Sequence, residues 1–234
     1  MKRAFFLYSS IVCCGIATAQ VTAGQYRLAD EQQVWHNSRN AAGMAFDFGT
    51  KDSTQNRGVA FFDYRHTAGD YHRVQDGGMK NNLQVFTERY QKIGKYLYGY
   101  GSFDFNMGRT KDRAWSDVIR SYNSNPFISG SSVFGKYDHQ DFTLHARLSS
   151  IQLGHFTYGA DIRYEVGDLS RLRDPRSRIN LLDYKITPSV VFSLKSPEAE
   201  GPKDRIGLAA HYNRRKEKLP SLTTVQTDPT WATT

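Results

Sequence analysis

Residues 156–166 alternate without a break. Phe156, Tyr158, Ala160, Ile162, Tyr164 and Val166 take one parity, and Thr157, Gly159, Asp161, Arg163, Glu165 and Gly167 take the other. After a polar break the rhythm resumes, with Leu182, Tyr184, Ile186, Pro188, Val190, Phe192 and Leu194 set against Asp183, Lys185, Thr187, Ser189, Val191 and Ser193. Successive side chains on a strand point to opposite faces, so each segment has one apolar face and one charged or hydroxylic face. A soluble sandwich also alternates, but its strands average about five or six residues. Segments of about ten or more suit tilted strands that cross a bilayer. The expected fold is all-β, an antiparallel transmembrane β-barrel.

The start of the chain agrees with export. Lys2 and Arg3 precede an apolar run over 4–16, and Ala17-Thr18-Ala19 has the small-x-small form of a cleavage site ahead of Gln20. Residues 1–19 read as a secretory signal peptide, because the run is well short of the roughly 20 residues of a membrane-spanning helix. Cys13 and Cys14 both fall inside it, and Ser10-Ile11-Val12 is a poor approach to a lipidated cysteine. The exported chain is therefore expected to have no disulfide, thiol nucleophile or cysteine-based metal site. The formal net charge of +8 falls by two with Lys2 and Arg3. Mixed-sign alternation, export and the lack of a nucleic-acid motif favour anionic lipid headgroups or an anionic solute over nucleic acid.

Residues 20–50 form an N-terminal segment in which 25–44 do not alternate. A short helix over 30–35 and a turn-rich stretch over 36–43 suggest either a plug folded into a lumen or a periplasmic lead-in. Residues 51–234 then supply strand candidates at 58–66, 83–92, 95–107, 141–151, 156–166, 181–194 and 205–213, with 44–48 as a weaker extra one. The links at 93–95 and 152–155 are tight, and those at 67–82, 108–140 and 168–180 are long and polar. Short turns at one end and long loops at the other match outer-membrane barrels. On the third strand Leu97, Gly99, Gly101, Phe103, Phe105 and Met107 form the lipid-side set. Tyr90, Tyr96 and Tyr98 near the tight turn fit either an interfacial aromatic girdle or lumen-facing positions.

Trp35-His36-Asn37-Ser38-Arg39-Asn40-Ala41-Ala42-Gly43, Tyr122-Asn123-Ser124-Asn125-Pro126-Phe127, Asp168-Leu169-Ser170-Arg171 and Asp174-Pro175-Arg176 together resemble an uncharacterised outer-membrane β-barrel family of Bacteroides-type Gram-negative bacteria, domain of unknown function 6850. The resemblance implies an outer-membrane location and, by association, a part in uptake, with no catalytic residues. Asn40-Ala41-Ala42 also resembles the Asn-Pro-Ala hatch signature of long-chain fatty-acid transporters, with Ala41 in place of the proline. Members of the resembled family are longer, and an odd number of strands is visible. The chain is therefore expected to be an N-terminal portion of a barrel, or to close by association.

Two constellations stand out. Pairing across the turn at 152–155 is expected to set Arg147 opposite Asp161 and His145 opposite Arg163. Carried over the next loop, the count sets Asp161 near Lys185 and Arg163 near Asp183. That ladder of alternating charge either stiffens a narrow wall or selects a solute. Arg171, Arg173, Arg176 and Arg178 surround Asp174-Pro175. They either grip an anionic ligand such as lipopolysaccharide phosphate, or pair with Asp168 and Asp174 within a turn. The histidines show no metal-binding spacing, and no hydrolase, P-loop or dinucleotide motif is present. No enzyme activity and no cofactor are expected. The expected role is passage or uptake of a solute across the outer membrane, in some settings with a partner transporter. The alternative is a non-transporting surface barrel that binds a partner or lipopolysaccharide through long loops such as 108–140.

Overall fold

The structure, a computed structural model, describes residues 35, 38–48, 57–119, 130–174, 176–195, 197 and 204–218. The expected signal peptide, all but Trp35 of the helix expected over 30–35, and the motif at 122–127 lie outside them. Residues Ala41–Gly43 form a 3-10 turn that runs into α1 (Met44–Phe48). The strands are β1 (Arg57–Ala68), β2 (Met79–Ile93), β3 (Leu97–Arg113), β4 (Gly135–Ser150), β5 (Phe156–Arg171), β6 (Arg178–Ser193), β7 (Arg205–Ala209) and β8 (Tyr212–Lys218). They make one antiparallel sheet in chain order, with β7 and β8 both on β6. Among the described residues β1 pairs with β2 alone and β7 and β8 with β6 alone, so the sheet is not closed.

The weak strand expected at 44–48 is a helix. The Asn40 side chain accepts a hydrogen bond from Ala42 N, which caps the turn and starts helical pairing. The segment lies across β3–β6 rather than beside a sheet edge, so it meets no strand backbone to pair with. The strand expected at 205–213 is divided into β7 and β8, yet its register is unbroken: Ser189 faces Ala209 and Ile186 faces Tyr212. The gap falls opposite Pro188, which lacks an N–H, leaving one bond there, from Ala210 N to the Pro188 carbonyl at 3.0 Å. The strands also run further than their apolar stretches. The link expected over 168–180 shrinks to 172–177, and that at 108–140 to 114–134. The tight turns stand as expected, with Gly94 at φ 65° and Gly154 at φ 63°.

Each strand presents the two faces that its alternation requires. One face carries residues 40–48 and is called covered; the other is open. The large apolar side chains exposed on the open face include Phe62, Leu144, Ile162, Ile186 and Leu208. The covered face buries Arg147, Ser149, Thr157, Glu165, Asp183, Thr187 and Ser193. On the open face the row Phe62, Val85, Phe105, Phe142, Val166 and Leu182 runs across β1–β6 in register. It tops an apolar band. Beyond it toward the long loops come Asp168, then Arg109, Asp138, Ser170 and Arg178. Tyr90 and Tyr98 sit buried on the covered face against Met44 and Ala45, whereas Tyr96 is exposed in the turn. The girdle placement therefore fails for Tyr90 and Tyr98, whose parity on β2 and β3 aims them at the covered face.

Candidate functional site

The covered face has a lid at each end. At the tight-turn end, residues 38–44 are hydrogen-bonded to β4, β6 and β7 and packed against β5. Ser149 Oγ donates to the Ala42 carbonyl at 2.8 Å, and Ala42 N donates to Ser189 Oγ at 3.1 Å. Arg147 Nη2 donates to the Ser38 carbonyl at 2.9 Å. Asn40 Nδ2 reaches the carbonyls of Val190 and Leu208 at 3.2 and 3.4 Å. The backbones approach so closely that a Cβ on Gly159 would lie 2.2 Å from Ala42 N. Trp35 stacks over Gly43 in the same way, its Cε3 2.1 Å from where a Cβ would be. Neither glycine needs a positive φ; both are required by close approach.

At the long-loop end the chain after β3 folds back onto the same face. Ala114, Ser116, Asp117 and Val118 are buried. Arg113 Nε donates to the Ser116 carbonyl at 3.0 Å and Nη2 to the Val118 carbonyl at 2.6 Å. Tyr137 Oη donates to Asp117 Oδ1 at 2.6 Å, and Arg171 Nη2 to the Val133 carbonyl at 2.7 Å. Tyr137 lies beyond the apolar band. Burial first, and the Asp117 carboxylate second, push its hydroxyl above the usual phenol range, so it stays a donor. Between the lids is a cavity of about 280 Å³ lined by Lys80, Asn82, Asn106, His139, Asp141 and Glu165 among others.

The expected charge ladder is half present. Arg147 faces Asp161 and His145 faces Arg163. Arg147 Nε lies 3.2 Å from Asp161 Oδ2, and His145 Nε2 lies 3.0 Å from both Asp161 oxygens. On the next strand the register is offset by two residues from the expected one. Asp161 faces Thr187, Arg163 faces Lys185, and Glu165 faces Asp183. The cause is the short 172–177 connection, which pulls β6 along β5 while keeping the parity and hence the face. Lys185 consequently approaches Asp183 on its own strand, at 3.8 Å. Asp161 thus draws both its partners from β4, and Arg147, 5% exposed in its side chain, links it to the lid at Ser38.

The arginine cluster is dispersed. Arg171 ends β5 on the covered face with its side chain fully buried, so it is not a loop residue. Arg178 begins β6 on the open face and holds Asp168 through Nε at 2.7 Å and Nη2 at 2.6 Å. Arg176 pairs with Asp174 at 3.4 Å, and Arg173 Nη1 donates to the Phe134 carbonyl at 3.1 Å. The expected pairing with Asp168 and Asp174 is thus made by two of the four arginines, Arg178 and Arg176. A matching pair, Arg109 with Asp138, is bonded at 2.6 and 2.9 Å. The Arg109 hydrogen bond holds the Asp138 carboxyl below its usual range, and Asp138 raises Arg109 in turn. Asp168 likewise raises Arg178. All four groups lie beyond the apolar band.

The lid residues Ser149, Ser189 and Gly159, and Asp117 and Tyr137 beside Arg171, were not singled out by the sequence. Among the described residues no group of three His, Cys, Asp or Glu side chains is placed to hold a metal ion. No described helix is long and apolar enough to cross a membrane.

A family model matches residues 41–231, from the lid through the last strands: the family of unknown function DUF6850. The chain belongs to this family. No curated protein and no solved structure matches it. The match begins at Ala41, inside the lid, and so spans lid and sheet together.

Proposed function

We propose that this DUF6850 chain is wall and plug of an outer-membrane β-barrel that passes or takes up a solute. The observation that carries the reading is inverted burial. Ionic and hydroxylic side chains are buried on the covered face, while Phe62, Leu144, Leu148, Ile162 and Phe192 stand exposed on the other. In water such a continuous apolar face has no stable place; in lipid it is the required exterior. Ten residue steps over 156–166 at about 3.3 Å, tilted by about 40°, give a height of about 25 Å, the apolar thickness of such barrels. The unpaired edges of β1 and β7–β8 need further strands to be viable there. Residues 38–48 then close the near end of a polar lumen.

The test is fractionation followed by planar-bilayer recording. The protein is expected in the outer membrane and nearly silent in the bilayer. Deleting residues 20–50 is expected to raise conductance at least tenfold. Recovery in the soluble fraction would sink the membrane reading. An outer-membrane protein that stays silent without the lid would favour the surface-binding alternative, which the 114–118 segment at the loop end, buried except at Trp115, supports.

Arg89 interrupts the apolar band, on the open face of β2 opposite Gly101. A cation at the bilayer midplane costs about 2–4 kcal/mol. Arg89→Leu is therefore expected to stabilise the protein by about 2 kcal/mol when guanidinium unfolding is followed in lipid vesicles. A surface in water would give a change within about 0.5 kcal/mol.

A further inference from the structure

The covered face carries its charges in layers. In register across the sheet, one row holds Asp63, Asp141 and Glu217. The row beside it, toward the tight turns, holds Asp104, Glu165, Asp183 and Arg215. Among the described residues these two adjoining rows carry six carboxylates and one guanidinium. Arg163 and Lys185 lie one row further toward the tight turns, with Glu88. Other cations hold the lids: Arg147 bonds the Ser38 carbonyl, Arg113 the Val118 carbonyl and Arg171 the Val133 carbonyl. On the open face Arg109 and Arg178 are spent on Asp138 and Asp168.

We infer that this acidic belt selects a small organic cation, an amine-bearing solute, as the passenger of the lumen. The inference rests on the pore reading above. A net basic chain suggests an anionic solute, but selection is made by the charges that line the path, and rings of carboxylates favour cations. Asp183 carries the argument furthest. Its side chain is 4% exposed, it faces Glu165 across β5 and β6, and its Oδ1 is enclosed with no hydrogen-bond partner. Lys185 Nζ stands 3.8 Å from the other oxygen, too far for a hydrogen bond. An enclosed carboxylate oxygen without a donor is costly, and an ammonium brings three donors and the opposite charge. Asp104 is met by neutral donors, Gln84 Nε2 at 2.9 and 3.1 Å and Asn106 Nδ2 at 3.0 Å. These carboxamides fix its oxygens in place and leave its charge uncancelled. The cavity between the lids opens on the belt, with Asn106, Asp141 and Glu165 in its wall. Among the described residues no three acidic or histidine side chains converge on one metal ion. Strands about 4.8 Å apart spread the carboxylates sideways, which suits an extended amine better than a point charge.

The test is calorimetric titration of the detergent-purified full chain with putrescine, a diamine, and succinate, a dicarboxylate with the same four-carbon chain. The wild type is expected to bind putrescine at least tenfold more tightly than succinate. Asp104→Asn/Asp183→Asn is expected to weaken putrescine at least tenfold, while Asp138→Asn/Asp168→Asn on the open face leaves it unchanged. Asp183→Asn alone puts a neutral group of the same shape where a charge is enclosed, so it is expected to fold and to weaken putrescine at least threefold. Heat-modifiable migration in gels confirms that each variant is folded. Equal affinity for the two probes, tighter binding of succinate, or equal losses from the two double variants overturns the belt. Titration needs no pore, so the two readings fail separately. A conducting protein indifferent to putrescine overturns the belt and leaves the pore standing. Recovery of the protein in the soluble fraction overturns the pore, and with it the passage of the amine, whatever the titration shows.

Discussion

Gly159→Val pushes residues 40–44 off the sheet and exposes the polar face beneath. The first atom met by a side chain at this position is backbone: a Cβ would sit 2.2 Å from Ala42 N and 2.6 Å from Ala42 Cα. No rotamer of a neighbour relieves such a contact, so either β5 moves or the lid does. β5 is held by full ladders to β4 and β6, whereas the lid is held by a few side-chain bonds. Overpacking of this kind costs about 1–3 kcal/mol, and each lost bond adds about 0.5–1.5 kcal/mol. A total near 3 kcal/mol makes exchange of the Ala42 amide about 100-fold faster, readable by hydrogen-exchange mass spectrometry of a peptide spanning 40–46. Gly101→Val is the control, because Gly101 faces the open side with nothing within 4 Å of an added Cβ. In bilayers Gly159→Val is expected to conduct and Gly101→Val to stay silent. Unchanged exchange at Ala42 in Gly159→Val would show that the lid is seated by something other than this contact.

The parity of the strands was legible in the sequence because burial on one face acts on every second residue. Asp161 and Tyr164 could not exchange faces without moving all of β5. The register between β4 and β5 was legible too, since the tight turn at Gly154 leaves little slack. Between β5 and β6 it was not. Leu169 and Ile179 are apolar and buried, but they sit on the covered face among polar neighbours, so the alternation runs out before the strands do. Their burial comes from Tyr137 and Ile119, contacts made across the sheet and by a loop. The lid shows the same limit. Asn40 has the chemistry of a cap and Gly159 looks like a weak spot in a strand, yet what requires both is an approach between segments more than a hundred residues apart. Arg171 was misplaced for a related reason. A run of arginines around a proline looks like a solvated loop until the strand is found to continue through its first member.

Asp117→Ala is expected to cost about 3 kcal/mol, a large share of a typical stability of about 5–15 kcal/mol. Asp117 is 8% exposed and the Arg171 side chain beside it is fully buried. The Arg113 and Arg171 guanidiniums lie 5.0 and 5.7 Å from the Tyr137 ring centre, so two cations share one aromatic ring and one nearby carboxylate. Removing the carboxylate takes the neighbouring negative charge away from a buried guanidinium in a low-dielectric site. The Arg171 Nη1 to Asp117 Oδ2 separation is 4.0 Å, a loose contact, which sets the expected loss at the lower end for buried pairs. Tyr137→Phe removes one hydrogen bond and keeps the charge, so it is expected to cost about 1–1.5 kcal/mol. Guanidinium unfolding in vesicles separates the two: Asp117→Ala must fall well below Tyr137→Phe if charge compensation governs. Equal losses would mean that Asp117 serves only as the acceptor for Tyr137. The pair Asp117→Leu with Arg171→Met is expected to recover most of the loss, because apolar groups of similar size commonly replace a buried ion pair without penalty. Recovery of stability without the ion pair would make the loop-end lid a packing element whose seating does not depend on the charges it buries.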